Sequence, residues 1–263
     1  MLQIVDPTLA SGVIVVTMFV GILLSLRIGR RLGERALRGQ GASALSSAGS
    51  LEAAVFALLG LLIAFTFSGA LTRLDVRRGQ VVDEANAIGT AYLRIDLLPA
   101  AAQPRLRETF RDYVDSRIAT YRKLPDLDAA QGELVRSQRL QGEIWAQALA
   151  ALGMPDSRPG TNVLVVPALN QMFDITTTRV AATQMHPPMI IYAMVIIVAL
   201  SSALLAGYHT AGATPHDRLH RVAFAGIVAF TLYVILDIEY PRAGWVRIGA
   251  IDQLLVNVRA GMR

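Results

Sequence analysis

Polar and apolar residues fall along this chain in long blocks. Four blocks are apolar: residues 9–26, 53–71, 187–208 and 222–236. A helix needs about 20 apolar residues to cross a hydrocarbon core about 30 Å thick. The first three blocks come close to that length or exceed it. The fourth is short, but Phe224, Phe230 and Tyr233 keep it apolar, and it pairs with the third. The pattern predicts an all-α membrane protein with four transmembrane helices. A first hairpin occupies 1–71, a second occupies 187–236, and a juxtamembrane tail follows over 237–263. Residues 72–186 lie between the hairpins as a polar insert, long enough to be a domain.

Within the insert the period changes to that of amphipathic helices. Leu74, Val81, Ala85, Ile88 and Tyr92 recur at steps of seven, four, three and four, which is one stripe of a helix. No proline interrupts residues 51–98, so the second span is expected to continue out of the membrane as one helix until Pro99 and Pro104 break it. Leu106, Phe110, Val114, Ile118 and Tyr121 mark a further helix. Leu134, Leu140, Ile144, Leu149 and Leu152 mark another. The stretch GMPDSRPGTN reads as a loop. A last insert helix is expected from near Val163 to His186, with Pro187 and Pro188 kinking the chain where it re-enters the bilayer. The expected insert is therefore a helical bundle.

Composition agrees with this placement. The chain is 53% hydrophobic and only 17% charged, whereas a soluble chain carries about 25% charged residues. Cysteine is absent, which excludes disulfides, thiolate metal sites and cysteine nucleophiles. Lys123 is the only lysine, and an arginine bias of this kind points to a GC-rich bacterial genome. Arg27, Arg30, Arg31, Arg35 and Arg38 follow the first span and face one acid, Glu34. Beside an apolar span such a block is a topology signal, and without interleaved aromatics it does not suggest nucleic-acid binding. Because the arginines follow the apolar run, that run is expected to stay as an anchor rather than act as a signal peptide. The positive-inside rule puts residues 28–50 in the cytoplasm of a bacterial inner membrane. The termini and the insert then face the periplasm. Arg73, Arg77, Arg78, Arg179, Arg242 and Arg247 lie near span ends on the other side and oppose this orientation.

Candidate chemistry is sparse. Ile63, Phe67 and Leu71 share one face of the second span. In a ring of subunits that face could form an apolar neck that gates by dewetting. It could equally meet lipid or neighbouring spans. Gly60, Ala64 and Ser68 repeat at the same step on an adjacent face, where small residues let another helix approach. Asp83 and Glu84 can pair with Arg77 or Arg78 along the helix. Alternatively, Glu84 and Asn86 can face a vestibule or partner helices. Asp237, Glu239 and Arg242 crowd the membrane edge after the fourth span. One reading is a salt-bridged clamp to Arg242 and the second span's Arg73, Arg77 or Arg78. The other is an ion-coordinating ring, which would favour cations. His209, His216 and His220 share a short loop and read as a headgroup-facing basic segment rather than a metal site. No phosphate loop, dinucleotide fingerprint, nucleophile elbow or zinc-protease motif occurs, so neither enzyme activity nor a cofactor is expected.

Three stretches carry a resemblance over roughly residues 10–250. LLIAFTFSGALTRLDVRR, EANAIGTAYLRIDLLP and LDIEYPRAGWVRIG together resemble the prokaryotic bestrophin-like family, whose members are mostly domains of unknown function. Four spans, a helical insert between the second and third, and an apolar second span extend the likeness to true bestrophins, which are pentameric anion channels. The resemblance implies a homo-oligomeric ion channel in the bilayer, pentameric by analogy, with the second span lining the pore and Ile63, Phe67 and Leu71 as its neck. True bestrophins hold their termini and helical domain in the cytoplasm, opposite to the arginine reading here. The other functional reading is a non-conducting sensor or interaction protein that uses its helical insert.

Overall fold

Among the described residues eight α-helices and one 3-10 turn make up the regular structure, and there is no strand. The computed structural model describes residues 7–40, 49–124, 126–211, 218–241, 245–246 and 249–262. The helices are α1 (Pro7–Gln40), α2 (Gly49–Leu93), α3 (Gln103–Arg122), α4 (Leu127–Leu152), α5 (Thr161–Gln184), α6 (Met189–His209), α7 (Arg218–Glu239) and α8 (Gly249–Gly261). The 3-10 turn, Arg94–Leu97, follows α2.

Local sequence explains the boundaries. α2 runs unbroken for 45 residues, about 68 Å at 1.5 Å per residue, and gives way to the 3-10 turn before Pro99. Pro104 does not break a helix. It sits in the first turn of α3, where its missing N–H costs nothing. The side chain of Asp126 accepts from Ala129 N at 3.0 Å and caps α4. Gly160 takes φ 81° ahead of α5, a left-handed conformation that suits glycine. The chain leaves helix between Gln184 and Met189, so Pro187 and Pro188 break the chain between two helices where a kink is expected.

Among the described residues four stretches are long and apolar enough to cross a membrane. They lie in α1, in α2, in the segment Thr161–His209 that holds α5 and α6, and in α7. α7 has 22 residues, about 33 Å, so the short fourth apolar block gains its length from the flanking helix. The protein is thus all-helical and membrane-embedded.

The chain divides into two compact units. Unit 1 comprises Met1–Thr72 and His186–Trp245, and unit 2 comprises Arg73–Met185 and Val246–Arg263. In unit 1, α1 packs on α6 and α7 around Ile22, Leu26, Leu59, Ala199, Ala203 and Ala225. The approach of α1 to α6 is set by glycine. A methyl group on Gly29 would lie 2.9 Å from Tyr208 N and would overlap the Leu204 carbonyl. One on Gly33 would lie 2.5 Å from Ala211 Cβ, and one on Gly207 would lie 2.9 Å from Leu26 Cα. Gly29 and Gly33 form a small-xxx-small step, which permits backbone contact between spans. Here the tight packing uses α1, not the Gly60, Ala64 and Ser68 stripe of α2.

Unit 2 has its own core. Ile88, Tyr92 and Ile95 meet Leu106, Phe110, Tyr113 and Val114 of α3, Leu140 and Ile144 of α4, Leu169 and Met172 of α5, and Leu255 of α8. The tail thus divides: Tyr240 stays with unit 1, while α8 is a further helix of unit 2. Arg259 grips Asp115 of α3 with two hydrogen bonds of 2.9 Å. The stripe expected on α4 is rotated. Ala130, Ser137, Leu140, Ile144, Ala148 and Ala151 are buried, and Leu149 is exposed, because small residues rather than every leucine face the neighbouring helices.

Candidate functional site

Three ionised side chains fall on the apolar stripes of unit 2. Glu84 lies among Val81, Ala85 and Ile88 on α2. Arg117 lies four residues from both Tyr113 and Tyr121 on α3. Arg179 lies between Thr176 and Ala182 on α5. A charge on a buried stripe must find an opposite charge there, since unpaired burial is very costly. The bundle brings the three together. Arg117 Nε donates to Glu84 Oε1 at 2.6 Å, and Arg179 Nη1 donates to Glu84 Oε2. Neither Glu84 nor Arg117 reaches solvent. Arg179 also lies 3.5 Å from Asp252 of α8, which brings a second carboxylate to its guanidinium.

Two tyrosines complete the cluster. Arg117 Nη2 donates to the Tyr121 hydroxyl, and the Arg179 guanidinium stacks 3.8 Å from the centre of the Tyr121 ring. Tyr113 OH lies 3.0 Å from Thr176 Oγ1 and accepts from Gln141 Nε2 at 3.2 Å. Arg117 Nη1 is buried with no hydrogen-bond partner among the described residues. Burial pushes the Glu84 carboxyl up, but Arg117 and Arg179 outweigh it and hold the group below the ordinary value of 4.5. Burial and the Glu84 charge push Tyr121 up to about 12, and burial raises Tyr113 as well. At neutral pH the Glu84 carboxylate is ionised between two cations, and both tyrosines are protonated. The cluster's physical effect is to tie α2, α3, α5 and α8 together.

The residues singled out from sequence lie apart. Glu84 pairs with Arg117 and Arg179, partners the linear spacing did not suggest. Arg77 is buried in unit 2 and donates to the carbonyls of Ala182 (3.1 Å) and Met185 (3.0 Å). Arg78 is half-buried and 3.5 Å from Asp75. Asn86 lines an open groove of about 770 Å³ between α2 and α5, with Asp83, Asn170, Gln171, Asp174 and Thr178. In unit 1, Asp237 accepts from Trp245 N at 2.9 Å. The buried Glu239 lies 3.0 Å from Nδ1 of His186, whose ring stacks on Tyr240. The clamp expected with Arg242 falls on a position outside the described residues, as does His216.

Along the second span, Ile63 is half-buried against the unit 1 core, while Phe67 and Leu71 are exposed. Gly60, Ala64 and Ser68 are exposed too, and nothing lies within 4 Å of a methyl group placed on Gly60. Among the described residues no three histidine or carboxylate side chains converge to hold a metal. Sequence reasoning missed Arg117, Arg179, Tyr121 and Asp252. The usable signal was an arginine inside an apolar stripe, at i+4 from Tyr113 in one helix and i+3 from Thr176 in the other.

The family model described as Bestrophin-like domain matches residues 16–250. Comparison with curated proteins and with solved structures finds no match. The family match takes in the last three apolar spans, residues 16–26 of the first, and Glu84, Arg117 and Arg179 of the buried cluster. The chain belongs to the bestrophin-like family.

Proposed function

We propose that the chain is one subunit of a homo-oligomeric ion channel, with the second span lining the pore and Ile63, Phe67 and Leu71 forming its neck. The observation that carries this reading is the exposure of the second span within its own chain. Only 11% of its apolar window is buried, against 22%, 22% and 39% for the others. Phe67, Leu71, Gly60, Ala64 and Ser68 are left to meet lipid, a pore or another subunit. Family membership favours the last two. A ring of subunits would place an apolar face around a central path, where it can gate by dewetting.

The test is subunit number in detergent or nanodiscs, followed by flux of anions and cations from vesicles. A symmetric ring of several copies with ion flux is expected. A monomer without flux would sink the proposal. For the bacterial inner membrane, the arginines of α1 favour a cytoplasmic loop after the first span and periplasmic termini. A reporter fused after Arg263 reads that compartment, and a cytoplasmic signal would reverse the orientation.

A second reading draws on the polar groove beside Asn86. A non-conducting sensor would use that surface to hold a ligand or partner. Capture of a partner at fixed stoichiometry, without flux, would favour it.

A further inference from the structure

Two distant segments of unit 1 bring arginines to one pocket. Arg27, Arg30 and Arg31 come from α1 and Arg221 from α7; Leu23, Leu26, Val222 and Glu34 complete the lining. The pocket measures about 670 Å³, within the usual range for sites that hold small molecules. Glu34 is paired within the helix, 2.9 Å from Arg30 Nε. Among the described residues that line the pocket, four are arginines and one is a carboxylate.

The depth of the pocket is as informative as its charge. The apolar run of α1 ends at Leu26, and that of α7 begins at Val222. The arginines therefore occupy the first turn beyond the hydrocarbon on both helices, the level of lipid phosphates. Leu23, Leu26 and Val222 make the membrane-side wall, and exposed Leu24, Ile28 and Leu219 lie nearby in the chain. A topology signal alone requires arginines in one loop. It does not require a fourth arginine, far away in sequence, to converge with them.

We infer that this pocket binds the phosphate of an anionic phospholipid from the surrounding leaflet. Guanidinium groups suit phosphate because their planar fork can donate two hydrogen bonds. A free phosphate would satisfy the same donors. The leucine and valine wall and the exposed apolar flank favour a phosphate that carries acyl chains. This inference rests on membrane insertion and not on conduction.

The experiment is native mass spectrometry of the full chain in detergent, titrated with phosphatidylglycerol or phosphatidylcholine. The expected result is preferential retention of phosphatidylglycerol. The variant R27Q/R31Q alters two exposed pocket arginines and should weaken that retention about twenty-fivefold, fivefold per arginine. The variant R35Q/R38Q removes the same charge from exposed positions of α1 outside the pocket and should change retention less than about twofold. Should the double variant fail to fold, R27Q and R31Q singly should each show about the fivefold loss. Equal losses in the two pairs would reduce the effect to diffuse charge and overturn the site. Equal retention of both lipids would also overturn it. Displacement by glycerol 3-phosphate at concentrations matching the lipid would make it a free-phosphate site and overturn the lipid assignment.

Discussion

Arg117 Nε donates to Glu84 Oε1 at 2.6 Å with both side chains sealed from solvent, which makes each residue dependent on the other. Glu84→Gln leaves Arg117 and Arg179 buried without their shared carboxylate. Removing one member of a buried ion pair costs about 3–5 kcal/mol. Thermal unfolding of the full chain should show that loss. In a double-mutant cycle, Glu84→Gln with Arg117→Met should cost less than the sum of the single changes. Additive losses would mean that the two residues do not act as a unit.

The tyrosines give an alkaline prediction. Tyr121 has its folded value raised from 10 to about 12. A raised folded value means the stabilisation is complete below pH 10 and is lost as pH climbs toward 12. The loss amounts to about 3 kcal/mol. Tyr113 acts in the same direction. Phe at position 121 keeps the ring under Arg179 but has no proton to lose. Tyr121→Phe should therefore flatten part of the decline, as followed by unfolding and by tyrosinate absorbance. Glu84 acts at the other end: its depressed value adds stability above pH 4.5 that disappears as pH falls through that lowered value. An unfolding profile for Tyr121→Phe that matches the parent above pH 10 would count against this cluster chemistry.

Glycines on two spans should respond in opposite ways to the same change. Gly29→Ala drives a methyl group into the backbone of α6 and should cost about 1–3 kcal/mol or prevent folding. Gly60→Ala meets nothing within 4 Å, and the helix preference of alanine should leave the subunit unharmed or stabilise it by about 1 kcal/mol. Thermal stability of the two variants in detergent decides the matter. Equal behaviour would mean that the α1–α6 contact is looser than its geometry.

The exposed face of the second span offers two separable tests. Gly60→Leu should weaken self-association, read by subunit mass, while leaving the unfolding of the subunit intact. Phe67→Ala should raise flux about tenfold or more if the ring of Phe67 narrows an apolar neck. Unchanged flux in an active oligomer would remove Phe67 from the neck.

Periodicity made much of the fold legible. Leu74, Val81, Ala85, Ile88 and Tyr92 are all buried in α2, as their spacing indicated. The long apolar blocks became helices because a bilayer leaves the backbone no other local way to satisfy its hydrogen bonds. Pairings between helices were not legible. Glu84 has two arginines nearby in its own helix, yet it chose Arg117 and Arg179, which lie 33 and 95 residues away. Linear spacing ranks only neighbours on one helix.

By itself, then, the sequence determined four apolar spans and the stripe that α2 would bury, though not the one on α4, because hydropathy and helical period are local properties whereas the choice among small and large residues at a contact is not. Only the tertiary structure decided that Gly29 and Gly33 rather than Gly60 make the tight crossing, that α8 joins unit 2, and that three charges on three apolar stripes meet at one carboxylate. Those outcomes depend on which helices become neighbours. Packing and charge pairing across the assembled bundle select them, and no single helix encodes them alone.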